Sequence, residues 1–196
     1  MKRICLALAA LVLAGCQTQQ NIPAPSPAVP VAPTAPQQPA PPAPPVQSAG
    51  PLTKAGVETY MDAQEGDLRS YLRGQGVLVA RRGDALAVTV PTDKLFDKME
   101  ISVWGAAVLQ SVAQVLAHYD HTLVEVNCYT DATGGEQQNL TLSQKRAKIV
   151  SAGLAGYGVA ASRLSDNGLG ATNLRVANAN DPRNRRIEIK IAPNPK

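Results

Sequence analysis

Apolar residues recur every three to four positions from residue 57 onward. Val57, Tyr60, Met61, Leu68, Tyr71 and Leu72 share one side of a helical turn, which predicts a helix beginning at Thr53. Gly74 and Gly76 end it. The period then falls to two. Residues 77–80 and 85–90 read as short strands joined by Arg81-Arg82-Gly83-Asp84, with Gly83-Asp84 as the hairpin turn. Helical spacing returns over residues 102–119, where Val103, Ala106, Ala107, Leu109, Val112, Ala113 and Leu116 supply the apolar side. Leu123, Val124 and Val126 mark a third strand. A third helix is predicted over residues 139–156, with Leu140, Ala147, Val150 and Leu154 as its core stripe. Residues 163–169 and 187–191 complete the strands. Together these elements predict an α+β sandwich, a mixed sheet with helices packed on one face.

Two unlike segments precede this pattern. Lys2 and Arg3 lead into an apolar stretch over residues 4–13. A membrane-spanning helix needs about 20 apolar residues. The stretch therefore reads as a secretory signal, removed with residues 1–15. Leu13-Ala14-Gly15-Cys16 resembles a bacterial lipobox. That resemblance implies diacylation of the Cys16 thiol, cleavage before it and acylation of the new amino terminus, an anchor worth about 0.8 kcal/mol per buried CH₂. Gln17, not Asp, follows Cys16, which by the same resemblance implies the outer membrane.

Residues 16–52 then form the expected lipidated, Pro/Ala-rich disordered linker. Twelve of the sixteen prolines fall within residues 21–51, a tract without one charge. Such a tract lacks the apolar bulk to offset ordering and favours polyproline II, reaching about 100 Å if fully extended. Pro-rich tracts also serve as ligands for aromatic grooves; the position beside a lipid anchor favours a tether.

Composition narrows the chemistry further. Cys5 leaves with the signal and Cys16 is consumed by lipid, so Cys128 has no cysteine to pair with inside the chain. Of the net charge of +4, Lys2 and Arg3 carry two. The small remaining excess and the scarcity of aromatic residues argue against a nucleic-acid partner. His118 and His121 lie three apart at a helix end beside Asp120, which suits a solvated terminus better than a metal site. Neither a Ser/His/Asp arrangement, a phosphate loop nor a paired-cysteine motif occurs, so no cofactor, metal or enzymatic activity is expected.

Binding chemistry gathers in the third helix and the loop that feeds it. Asn139, Leu142 and Arg146, at i, i+3 and i+7, form one stripe at the border of the buried face. Asp131 lies in the preceding loop. A carboxylate and a guanidinium held close together form a receptor for a zwitterion, the acid taking an ammonium and the planar guanidinium gripping a carboxylate through two bonds. The plainer alternative is that Asp131 orders its turn and Arg146 pairs with it as a surface salt bridge worth about 0–1 kcal/mol.

Four motifs in order carry a family resemblance over most of residues 53–192. Cys128-Tyr129-Thr130-Asp131-Ala132-Thr133-Gly134 resembles the Gly-His-Thr-Asp-x-x-Gly signature of the OmpA C-terminal-like family. Asn139-Leu140-x-Leu142-Ser143-x-x-Arg146-Ala147 matches the helix after it, and Asn184-Arg185-Arg186-Ile187-Glu188-Ile189 the closing strand. Phe96-Asp97-Lys98-Met99-Glu100-Ile101 is similar to a loop of peptidoglycan-associated lipoprotein, a member of that family. Met61-Asp62-x-Gln64-Glu65-x-x-Leu68-Arg69 also resembles the helix before the domain in many lipoprotein members. The resemblance implies an OmpA-like βαβαβ sandwich over residues 77–196, preceded by an extra N-terminal helix within residues 53–76.

It also implies a ligand, the diaminopimelate of peptidoglycan stem peptides. Asp131 would hold its ammonium and Arg146 its carboxylate. Asn139 and Arg185 would add hydrogen bonds, the loop at Asp97 would close one side, and Leu142 would give an apolar wall. Neighbouring strand residues face opposite ways, so at most one of Arg185 and Arg186 can point at this site, and Arg185 is favoured. Cys128 replaces the family's usual glycine. Pointing inward it packs as a small apolar residue; pointing outward it is a reactive thiol.

The expected function is a non-catalytic outer-membrane lipoprotein, facing the periplasm, that tethers the membrane to peptidoglycan. A second reading is an accessory or scaffold subunit of an envelope machine, such as a secretion system, whose main partner is another envelope protein. A large exposed apolar face on the helix at residues 53–74 would favour that second reading.

Overall fold

A computed structural model describes residues 54–194. The expected signal, the Cys16 anchor and the linker lie outside these residues. The elements are α1 (Lys54–Tyr71), β1 (Leu78–Arg82), β2 (Ala85–Pro91), α2 (Thr92–Leu95), β3 (Phe96–Asp97), β4 (Glu100–Ile101), α3 (Val103–His118), β5 (Thr122–Tyr129), α4 (Glu136–Gly156), β6 (Leu164–Gly170) and β7 (Arg186–Pro193).

Five strands form one sheet in the order β1-β2-β7-β5-β6. β7 is antiparallel to both its neighbours, while β5 and β6 are parallel. The two crossovers, β2–α3–β5 and β5–α4–β6, give a βαβαβ path into which β7 inserts. The α+β sandwich with a mixed sheet is therefore the observed fold. β3 and β4 pair separately as a two-stranded ribbon, an element the apolar pattern did not predict.

Register explains why one sheet face is dry. Leu86, Ile191 and Val124 form one cross-strand row, Val88, Ile189 and Val126 a second, and Val90, Ile187 and Cys128 a third. All nine side chains are fully buried. Cys128 thus completes an apolar layer under the helices. Residues offset by one position face the other way, as the pleat requires. That second face is polar: Lys190 reaches Glu125 at 3.1 Å, and Arg186 bonds Glu188 at 2.7 Å while stacking 3.9 Å from the Tyr129 ring centroid.

The helical phases differ from expectation at three apolar positions. In α3 the buried stripe is Gly105, Val108, Leu109, Val112, Ala113, Val115 and Leu116. Val103, expected in the core, is 91% exposed, and Ala107 is exposed too. At 100° per residue Val103 points about 160° from the centre of that stripe. In α4 the buried residues are Asn139, Ser143, Ala147, Val150 and Leu154, while Leu140 is 43% exposed. The first two turns of α4 pack through hydrogen bonds instead of leucine.

α1 shares the core of the sandwich. Met61 and Leu68 are fully buried. Three polar contacts fasten the helix: Tyr119 Oη donates to Asp67 at 2.7 Å, Tyr60 Oη accepts the His121 N–H at 3.0 Å, and Arg81 pairs with Asp62 at 2.8 Å. Its outward positions, including Glu58, Asp62, Arg69 and Ser70, are polar and exposed.

Candidate functional site

The site gathers where β5 and β7 end together. Tyr129 pairs with Arg186 in the last register position, so the chain on either side of that pair, residues 130–135 and Arg185, leaves the sheet at the same end. The 130–135 loop is fixed before any side chain acts. Thr130 N–H donates to Gly170 O at 2.8 Å and Ala132 N–H to Ala179 O at 2.9 Å. Thr133 N–H donates to Asp131 Oδ1 at 3.1 Å, a turn in which the side chain stands in for backbone.

Asp131 is only 5% exposed. Its Oδ2 accepts from Arg185 Nη1 at 2.6 Å. The same guanidinium holds Asp93 through Nε, 2.9 Å from Oδ1, and Nη2, 2.6 Å from Oδ2. Asp93, then Asp131, raise the Arg185 pKa above its already high ordinary value by hydrogen bonding its charged form. Arg186, by contrast, lies on the polar sheet face with Glu188 and Tyr129.

Arg146 stands apart from Asp131. Its Cζ lies 5.5 Å from the Phe96 ring centroid, and its Nε is buried without a hydrogen-bond partner. Among the described residues it forms no ion pair, which leaves its terminal donors uncommitted. Beneath it, burial pushes the Cys128 thiol up to about 12, although the Arg146 charge pulls the other way.

Asn139 organises the loop. Its Nδ2 donates to Asp131 O at 3.3 Å and to Thr133 O at 3.1 Å, so both amide hydrogens are engaged inside the protein. Leu142 is half-buried and lines a pocket of about 360 Å³ with Met99 and Lys145. Met99 belongs to the turn of the β3–β4 ribbon, which brings exposed Asp97 to the same flank of α4.

The position of α4 depends on two glycines in β6. A Cβ on Gly168 would sit 2.1 Å from Gln144 N and 2.4 Å from its Cα, so only glycine permits this backbone approach. The adjoining polar groups close the gap: Gln144 Oε1 accepts the Gly168 N–H at 2.8 Å, and Ser143 Oγ the Gly170 N–H at 3.0 Å. This seam sets the height at which Arg146 meets Phe96.

Of the six expected ligand residues, Asp131 and Arg185 are thus in direct contact. Asn139 supports the loop, Leu142 and Asp97 border one flank, and Arg146 stacks on Phe96. Asp93 escaped the sequence reading; 92 positions separate it from Arg185, and an acid at the start of a four-residue helix gives no distinctive signal. Among the described residues no three metal-ligating side chains come together.

A model described as the OmpA family matches residues 95–188. The chain is 43% identical over 143 residues to the probable lipoprotein YiaD of Escherichia coli, covering 70% of this chain and 65% of that protein. It is 40% identical over 87 residues to the peptidoglycan-binding protein ArfA of Mycobacterium tuberculosis, covering 43% of this chain and 27% of that one. The chain therefore spans less than two thirds of the length of either relative. Among solved structures it is similar to the cell wall anchor of the T6SS from Pseudomonas aeruginosa, with a TM-score of 0.57 and 26% identity, covering 66% of this chain and 96% of that one. It shares its fold with a MotB-like protein from Desulfovibrio vulgaris, at a TM-score of 0.61 and 21% identity over 70% of this chain and 96% of that one.

Proposed function

We propose that the chain, whose residues 95–188 match a model described as the OmpA family, is a non-catalytic module that binds peptidoglycan through the diaminopimelate of its stem peptides. We further propose that acylation at Cys16 holds the protein in the outer membrane, the tract at residues 16–52 spans to the wall, and the domain faces the periplasm. The observation that carries the reading is a buried Asp131 carboxylate paired with Arg185, while Arg146, apart from it on Phe96, keeps its guanidinium without an ion pair among the described residues. An ammonium takes up Asp131, and the carboxylate of the same zwitterion meets the Arg146 donors, with Leu142 as apolar wall. Asn139 acts by holding the loop.

Likeness to a mycobacterial peptidoglycan-binding protein and to a Pseudomonas cell wall anchor supports this assignment. The apolar positions of α1 are buried in its own domain, which weighs against α1 as the docking face for a protein partner. A single weak site suffices because tethering keeps the wall at high local concentration.

Sedimentation of the full-length chain with sacculi tests the reading, using walls that contain diaminopimelate and walls that carry lysine in its place. Selective sedimentation with the former, lost in folded Asp131→Ala and Arg146→Ala variants, is the expected outcome. Equal sedimentation with both walls, or retention in both variants, would sink it.

A further inference from the structure

A second cleft opens on the other side of Arg185. It encloses about 570 Å³ between the start of β1, the β2–α2 junction and the loop ahead of β7. Five cationic side chains line it against one acid, Asp93. Three of the five already have acidic partners: Arg185 holds both Asp93 and Asp131, Arg186 holds Glu188, and Arg183 holds Asp181 at 2.7 Å. The other two, Lys94 and Arg175, are exposed and have no acidic partner among the described residues. Lys94 Nζ lies 6.0 Å from the Trp104 ring centroid and would stand 3.9 Å from a Cβ on Gly76, at the edge of the cleft.

The cleft is built in advance. Fully buried Asn184 accepts the N–H groups of Arg175 at 2.8 Å and Val176 at 3.1 Å, and donates to Asn178 O at 2.9 Å. Arg186 adds a bond to Asn173 O at 3.0 Å. The wall bearing Arg175 is therefore held in place without a ligand, and Leu78 and Val176 give that space an apolar side. A pocket of this volume accommodates a small organic molecule.

We infer that this cleft is a phosphate-monoester site, with Lys94 and Arg175 as its two anion-holding residues. The number of acceptor atoms selects the ligand: a phosphate monoester, at about −1.5 to −2 at pH 7, presents three oxygens that engage two separate uncommitted cations at once, where a carboxylate presents two. The Arg175 fork suits two phosphate oxygens and Lys94 acts as a point charge on the third. The shared chemistry belongs equally to a soluble organic phosphate and to a lipid headgroup.

The full-length chain is titrated with glycerol 3-phosphate at constant ionic strength, followed by calorimetry and ³¹P NMR. A parallel arm uses phosphatidylcholine vesicles with and without phosphatidic acid. One saturable site is expected, weakened about five-fold or more by Lys94→Gln and by Arg175→Gln, the loss of one exposed charge-assisted contact each. Both variants keep sacculus binding, whereas Arg146→Ala loses the wall and keeps the phosphate ester, so this site and the wall site stand or fall separately. Extra sedimentation on phosphatidic acid that the double variant lacks identifies a headgroup source. Binding of the soluble ester alone identifies a free organic phosphate. Absence of saturable binding, an undiminished response in the double variant, or an equal response to acetate would overturn the proposal.

Discussion

Arg185 Nη1 donates to Asp131 Oδ2 at 2.6 Å, so the buried acid of the site already holds a cation from its own chain. The opposite edge of that guanidinium rests on Asp93, which is half-exposed and outside the site. The ammonium of the proposed ligand would share Asp131 with Arg185 or turn Arg185 fully onto Asp93. The ion triad therefore sets how much negative charge the site offers.

Asp131→Asn removes a charge-assisted contact of about 1.5–3 kcal/mol and is expected to weaken wall binding about ten- to a hundred-fold. Asp93→Asn leaves Arg185 no alternative acid and is expected to weaken binding as well. Because the Asp93 pair is largely solvated, its loss should change stability by only about 0–1 kcal/mol. Sacculus sedimentation beside urea unfolding separates the two effects; unchanged binding in Asp93→Asn would remove the triad from the mechanism.

Gly168→Ala drives a methyl into the Gln144 backbone, which cannot swing aside as a side chain would. Overpacking of this kind costs about 1–3 kcal/mol. Denaturant midpoints measure it, and the variant should also bind the wall less well in its folded form, because α4 carries Arg146. Alanine tolerated without loss would show that the seam yields.

Much of this arrangement is legible in the sequence because it is periodic. The rows built on Val88, Val126 and Ile189 follow strict alternation, and the α1 positions Met61 and Leu68 follow helical spacing. Errors arise where packing is not apolar. Leu140 sits beside a stripe that begins with Asn139 and Ser143, since the glycines of β6 admit backbone and short polar groups in place of leucine. Val103 starts α3 directly after the Ser102 cap, where one turn of pattern is too short to fix the phase. The pairing of Asp93 with Arg185 joins residues that only the finished sheet brings together. A motif identifies Asp131 and Arg146, but no spacing reveals that the nearer guanidinium belongs to Arg185.

Leu68→Ala tests whether α1 belongs to the cooperative unit. Its side chain is fully buried, and truncation at such a site costs about 2–5 kcal/mol. A single shifted transition, seen alike by far-ultraviolet circular dichroism and Trp104 fluorescence, is expected. A separate early transition would mean that α1 frays on its own.

Cys128 should resist thiol reagents in the native state. With its pKa pushed up to about 12 by burial, about one thiol in ten thousand is ionised at pH 8. In a Cys5→Ser, Cys16→Ser background the expected result is labelling only after unfolding. Rapid native labelling would show the third sheet row to be open.

Acid should loosen the loop that bears Arg175. Hydrogen bonds from Arg183 lower the Asp181 carboxyl from 3.8 to about 2. Because the folded value lies below the unfolded one, the stabilisation is complete above about pH 4 and disappears as pH falls through 2. Amide exchange of residues 175–184 between pH 5 and 2 reads it, and Asp181→Asn should abolish the pH dependence.

The strand order also carries a consequence for how the protein is made. β7 is the last of the sheet strands in the chain, yet it lies in the middle, between β2 and β5. Until residue 193 is available, the β1–β2 hairpin and the β5–β6 pair are two fragments with bare inner edges and no common partner. Such long-range closure is slow. Whatever channel the chain leaves amino-terminus first, its central strand is the last to emerge, so the sheet closes only when the two halves and β7 are all free to meet.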